Sequence, residues 1–157
     1  MRTLRSEIEI RASAEQVWQT LMDFGAHAEW NPFIPEISGT PISGHRLEVL
    51  IKPPGTRGMR FRPTVLVAKP PREFRWLGRI GISMLFDGEH TFQILPLTDN
   101  KVLFSQEENF TGLLVPLLWR SLETNTRAGF QLMNKALKQR VEKLAASQDG
   151  GKKQPGE

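Results

Sequence analysis

The chain has 157 residues, 39% hydrophobic and 24% charged, a formal net charge of +4 and no cysteine. That length suits one domain with a real core, and the absence of cysteine excludes disulfide staples and thiolate metal sites. Lysines and arginines are dispersed rather than clustered with aromatics, and no apolar run approaches the ~20 residues of a membrane span, so neither a nucleic-acid face nor a transmembrane segment is expected.

The opening MRTLRSEIEIRAS lacks the apolar stretch of a signal peptide, which points to a cytoplasmic protein. Residues 5–12 alternate Ile8 and Ile10 with Glu7, Glu9 and Arg11, the pattern of a half-buried strand. Ser13, with Gln16 three positions on, has the spacing of a capping box. Val17, Leu21 and Phe24 continue at helical spacing as far as Gly25. AHAEW suits a second short helix, stopped by Pro32. From residue 34 to about 112, turn signals (SGTP, PPGTRG, KPP, FDG, TDN) separate the runs RLEVLIK, RFRPTVLVA, EFRWLGRI, HTFQILPL and KVLFSQEENF. These predict an antiparallel meander, with Pro63 marking an edge or a bulge. After Pro116, the residues Leu122, Thr126, Phe130, Met133, Leu137, Val141 and Leu144 form one apolar stripe, predicting a helix of ~30 residues that reaches about Ser147. Residues 148–157, rich in Gly and Lys, are expected to be a disordered tail on a domain spanning 1–147.

This order predicts an α+β fold in which the terminal helix covers one face of the sheet, being the only element long enough to do so. The expected architecture is a curved antiparallel sheet of about seven strands wrapped around that helix, with two short helices after the first strand. The space between sheet and helix is the natural ligand site.

The segment carrying Ala14, Val17, Trp18 and Trp30-Asn31-Pro32 resembles the opening of the START-like superfamily, also called SRPBCC, polyketide cyclase-like or birch-pollen-allergen-like. His90 and Phe92, followed by Glu108, Phe110 and Gly112, resemble its late paired strands. The resemblance covers roughly residues 5–146. It implies a helix-grip fold with a deep apolar cavity for lipids, sterols, polyketides or similar molecules, and it names no single activity. No cofactor is implied, and the three histidines lie too far apart in sequence to suggest a metal site.

His90 shares a face with Phe92 and Ile94, where it could meet a ligand near the cavity mouth as donor, acid or base; a histidine satisfied by its neighbours is the competing reading. Gln106 and Glu108 share a face with Phe104 and Phe110. A carboxylate on such a face would have a raised pKa and acid/base capacity, unless Arg60, Arg62 or Arg75 neutralises it in an internal pair. The register is open at this stage. A regular two-residue Asp99-Asn100 turn would pair Phe92 with Glu107 and turn Glu107 inward; a bulge or an odd-length loop puts Glu108 there. Trp30, Phe33, Phe74, Trp76 and Gly78 are expected in the pocket wall, with Thr126, Phe130 and Met133 as its floor, although ordinary core packing explains such residues equally well. The segments at 81–86 and 112–118 place apolar residues beside the openings, where they could gate the cavity, touch a membrane or carrier protein, or form a dimer contact. Three functions follow from this reading. They are binding or transport of a small hydrophobic ligand, a cyclase or dehydratase using His90 and Glu108, and a protein-interaction module of the chaperone-activator kind.

Overall fold

The capping box forms as its spacing predicts. Ser13 Oγ accepts from Gln16 N–H at 3.2 Å and Gln16 Oε1 accepts from Ser13 N–H at 2.9 Å, starting helix α1 (Ala14–Met22). The computed structural model describes residues 1–151. Strand β1 runs Arg2–Ile10, earlier at both ends than the expected 5–12, because Leu4 extends the inward series that ends at Ile10. Helix α1 stops at Met22 rather than continuing to Gly25; Phe24–Ala26 forms a single 3₁₀ turn that leads into α2 (His27–Trp30).

The strands are β2 (Glu36–Gly39), β3 (Leu47–Ile51), β4 (Met59–Phe61), β5 (Thr64–Lys69), β6 (Glu73–Arg79), β7 (Asp87–Thr98) and β8 (Lys101–Thr111). All pair antiparallel, but they form two sheets rather than one sheet of about seven strands: β1-β8-β7-β6-β5 and β2-β3-β4. The break falls at Pro63. Lacking an N–H, Pro63 cannot continue the ladder, and it splits the run RFRPTVLVA into β4 of one sheet and β5 of the other. The two sheets stay in touch through the Arg46–Thr64 bridge and the 2.9 Å bond from Leu47 N–H to Pro63 O.

Helix α3 (Val115–Gly150) carries Pro116 in its first turn and packs along β1, with α1 and β8 also against it. Its buried positions include Thr126, Phe130, Met133, Leu137 and Val141, the middle of the expected stripe, whereas Leu144 near the far end is exposed. The helix runs three residues into the stretch expected to be disordered, and Gly151 forms a turn after it; residues 152–157 lie outside the described residues. Among the described residues no helix is long and apolar enough to cross a membrane.

Candidate functional site

The β7–β8 hairpin sets the site. Its turn is the tight Asp99-Asn100 turn, with Thr98 opposite Lys101, yet Pro96 pairs with Val102, so Leu97 is an extra residue bulged out of β7. The bulge shifts the register by one and places His90 opposite Glu108 and Phe92 opposite Gln106. Glu108, not Glu107, therefore faces inward. Glu107 instead meets Arg5 on the outer face at 3.3 Å.

A cavity of about 250 Å³ lies between α3 and the two sheets. Trp76, Gly78, Gly88, His90, Glu108 and Phe110 line it from the larger sheet, while β3, β4 and the start of α3 supply mainly aliphatic and aromatic side chains. The paired glycines Gly78 and Gly88 leave this part of the sheet bare. A Cβ on Gly88 would sit 2.7 Å from Glu108 Oε1, so the missing side chain makes the space that the carboxyl occupies.

Of the residues expected in the site, Phe33, Trp76, Gly78, His90, Glu108, Phe110 and Thr126 line the cavity. Phe74, Phe92, Phe130, Gln106 and Met133 are packed core behind it, and Trp30 borders a separate surface cleft of about 510 Å³. His90 is 1% exposed and stands in the inner wall rather than at a mouth, stacked on Phe92 with centroids 4.2 Å apart and edge-on to Trp76 at 5.4 Å.

Hydrogen bonds fix which nitrogen of His90 carries the proton. Gln106 Nε2 donates to Asn134 Oδ1 at 2.6 Å and toward Phe130 O at 3.4 Å, an atom that can only accept. Gln106 Oε1 therefore faces His90 Nε2, at 3.1 Å, and that nitrogen must be the N–H. Asn134 in turn donates to Ser6 Oγ at 3.2 Å, which completes the chain. The other ring nitrogen, Nδ1, is left as an acceptor 3.8 Å from Glu108 Oε2. Burial holds His90 down to about 3 despite the opposing Gln106 bond, and burial pushes Glu108 up to about 8. At neutral pH the two are a neutral imidazole and a carboxylic acid, not an ion pair. None of the three candidate arginines neutralises Glu108: Arg60 pairs with Glu36, Arg62 with Glu48, and Arg75 with Glu73 and Glu89.

Sequence reading missed Asn134 and Gly88. Asn134 was visible as a polar residue four positions after Phe130 on the apolar stripe, where an amide needs a buried partner. The FDG run signals a turn, but Asp87 and Gly88 open strand β7, with Gly88 paired to Gly78 and Phe110 in the ladder. In the Trp-Asn-Pro stretch, Asn31 has a structural role: its Oδ1 accepts from Phe33 N–H at 3.1 Å and Ile34 N–H at 2.9 Å, which orients Phe33 toward the cavity. The segments at 81–86 and 112–118 meet beside the cavity through bonds from Leu113 N–H to Met84 O and Leu114 N–H to Leu85 O, with Ile82, Met84, Leu113 and Leu117 largely exposed.

Solved structures share this architecture. A START superfamily protein from Mycobacterium smegmatis is 23% identical, with a TM-score of 0.68 over 90% of this chain and 98% of its own. The Zhui aromatase/cyclase from Streptomyces sp. R1128 is 12% identical, with a TM-score of 0.75 over 92% and 95%. The protein XoxI from Bacillus cereus is 20% identical, with a TM-score of 0.71 over 92% and 99%. At these identities the likeness concerns the fold alone. No curated protein sequence matches this chain. The family described as polyketide cyclase / dehydrase and lipid transport matches residues 1–146. The chain belongs to that family.

Proposed function

We propose that this protein binds a small, mainly apolar molecule in the cavity, with one hydrogen-bond acceptor of the ligand directed at the protonated Glu108. The observation that carries this reading is the cavity itself: an apolar chamber whose polar side chains are chiefly Glu108, His90 and Thr126, with no charged partner for the carboxyl among the described residues. At about 250 Å³ it is below the ~300 Å³ expected of ligand pockets. That favours a one- or two-ring molecule or a short chain over a sterol or a two-chain lipid. The lipid transport in the family description supports the hydrophobic character of the ligand.

A cyclase or dehydratase reading draws support from one observation, the 3.8 Å approach of His90 to Glu108, which lets both touch one substrate. Glu108 is suited to donate a proton to a carbonyl or departing hydroxyl oxygen near neutral pH. His90 is a poor base at about 3, with its other nitrogen committed to Gln106, so the pair favours polarising a bound carbonyl over abstracting a proton.

Calorimetric titration with bicyclic ketones and short 2-alkanones, alongside the matched hydrocarbons, tests the binding reading. Saturable binding of the ketones is expected, weaker for the hydrocarbons and weaker for all ketones in Glu108→Ala. Absence of binding by every compound would refute the reading.

A further inference from the structure

The cavity and the surface cleft near Trp30 share two wall residues, Phe33 and Pro53. Pro53 is a ring fixed to its own backbone. Phe33 is different: its backbone is pinned by Asn31 Oδ1 and by the 2.8 Å bond from Lys52 N–H to Phe33 O, while its ring projects between the two spaces. The ring rests edge-on against Phe130 at 5.6 Å and over Gly129 of α3, where a Cβ would overlap it. Gly129 also borders the cleft, so the absence of its side chain lets the Phe33 ring close the passage against the helix.

We propose that Phe33 is a specificity-determining residue that sets the maximum length of the ligand by closing the cavity off from this cleft. The inference rests on the binding reading above and adds a size limit to it. With the ring in place, a ligand anchored at Glu108 ends in the cavity of about 250 Å³; without it, the same ligand continues into a cleft of about 510 Å³, twice the volume. An opening the cross-section of one phenyl ring passes a single alkyl chain and stops a fused-ring system, so the length limit is read with chains.

The test is the affinity of a series of 2-alkanones, from six to fourteen carbons, for the wild type, Phe33→Ala and Phe33→Leu. Each further methylene buried strengthens binding about fourfold. In the wild type this gain should stop at the length that fills the cavity. In Phe33→Ala it should continue for at least two more carbons, giving about tenfold or more at the longer lengths, and Phe33→Leu should move the same way by less. Phe33→Leu keeps most of the apolar volume and carries the test if the alanine variant does not fold. An unchanged cutoff in the folded variants, with short ketones still bound, would overturn this inference and leave the binding reading standing. Failure of every ketone to bind the wild type would overturn both.

Discussion

Replacing Glu108 by glutamine should remove a pH-dependent stability loss. Glu108 is raised from an ordinary value of 4.5 to about 8 in the folded protein. A raised carboxyl binds its proton more tightly folded than unfolded, so its contribution is complete below pH 4.5 and is lost as pH climbs through 8. His90 runs the other way: held at about 3 against an ordinary 6.5, it stabilises above 6.5 and loses that contribution as pH falls toward 3. Between 4.5 and 6.5 the two slopes cancel. Above 6.5 only Glu108 acts, and stability falls. At 1.36 kcal/mol per pH unit the full Glu108 effect is about 3–5 kcal/mol, the lower figure allowing for water in the cavity. Urea unfolding of wild type and Glu108→Gln at steps from pH 4.5 to 9 isolates it, because every other titration cancels in the difference. Glu108→Gln should gain steadily on the wild type through this range, by about 3–5 kcal/mol at the top. Any constant offset from the substitution leaves the slope intact. A difference that does not change with pH would refute the argument that Glu108 is an uncharged acid in the cavity.

Gln106→Leu should strand the His90 Nε2–H and Asn134 Oδ1 in the core, costing about 2–4 kcal/mol in chemical denaturation. It should also release His90 from its single tautomer, seen as a change in its ring ¹⁵N shifts. Gly129→Ala improves helix propensity by about 1 kcal/mol yet drives a Cβ into the buried Phe33 ring. A net loss of about 1–2 kcal/mol is expected in thermal unfolding, and a net gain would show that the ring moves freely.

The features legible in the sequence were those decided locally. The capping box of Ser13 and Gln16 needs only a spacing, and the buried stripe through Thr126, Phe130, Met133, Leu137 and Val141 needs only a period. Pro63 was legible as an interruption, but not as the boundary between two sheets, because which strand a broken run joins depends on distant partners. β2 has only four residues and so carries no usable alternation. The site divided the same way. Even spacing with Phe104 and Phe110 put Gln106 and Glu108 on one face, but nothing in one strand separates residues that line a cavity from those packed behind it. Gln106 and Phe92 fell on the packed side because the amide of Asn134 and the aromatic ring of Phe104 arrive from other elements to fill the space.

The register of β7 against β8 is the point where local and distant demands conflict, and Leu97 resolves it. A regular two-residue turn with Leu97 in the ladder would have turned Glu107 inward and Phe104 outward; excluding Leu97 keeps both the tight turn and the buried set. Inward packing of Phe104 and Phe110, at about 1.5–3 kcal/mol for each large side chain buried, outweighs one exposed extra residue, so the core and not the turn selects the register. Deleting Leu97 should then be tolerated. Pro96 would precede Thr98 directly, the pairs from Thr98–Lys101 to Asp87–Thr111 would all survive, and stability should stay within about 1 kcal/mol of the wild type, as for other surface changes. The deletion variant should also keep the rising pH-dependent gap between Glu108 and its glutamine replacement. Loss of that gap in a folded deletion variant would mean that Glu108 had left the cavity, and that the bulge, rather than the apolar set, had been holding it there.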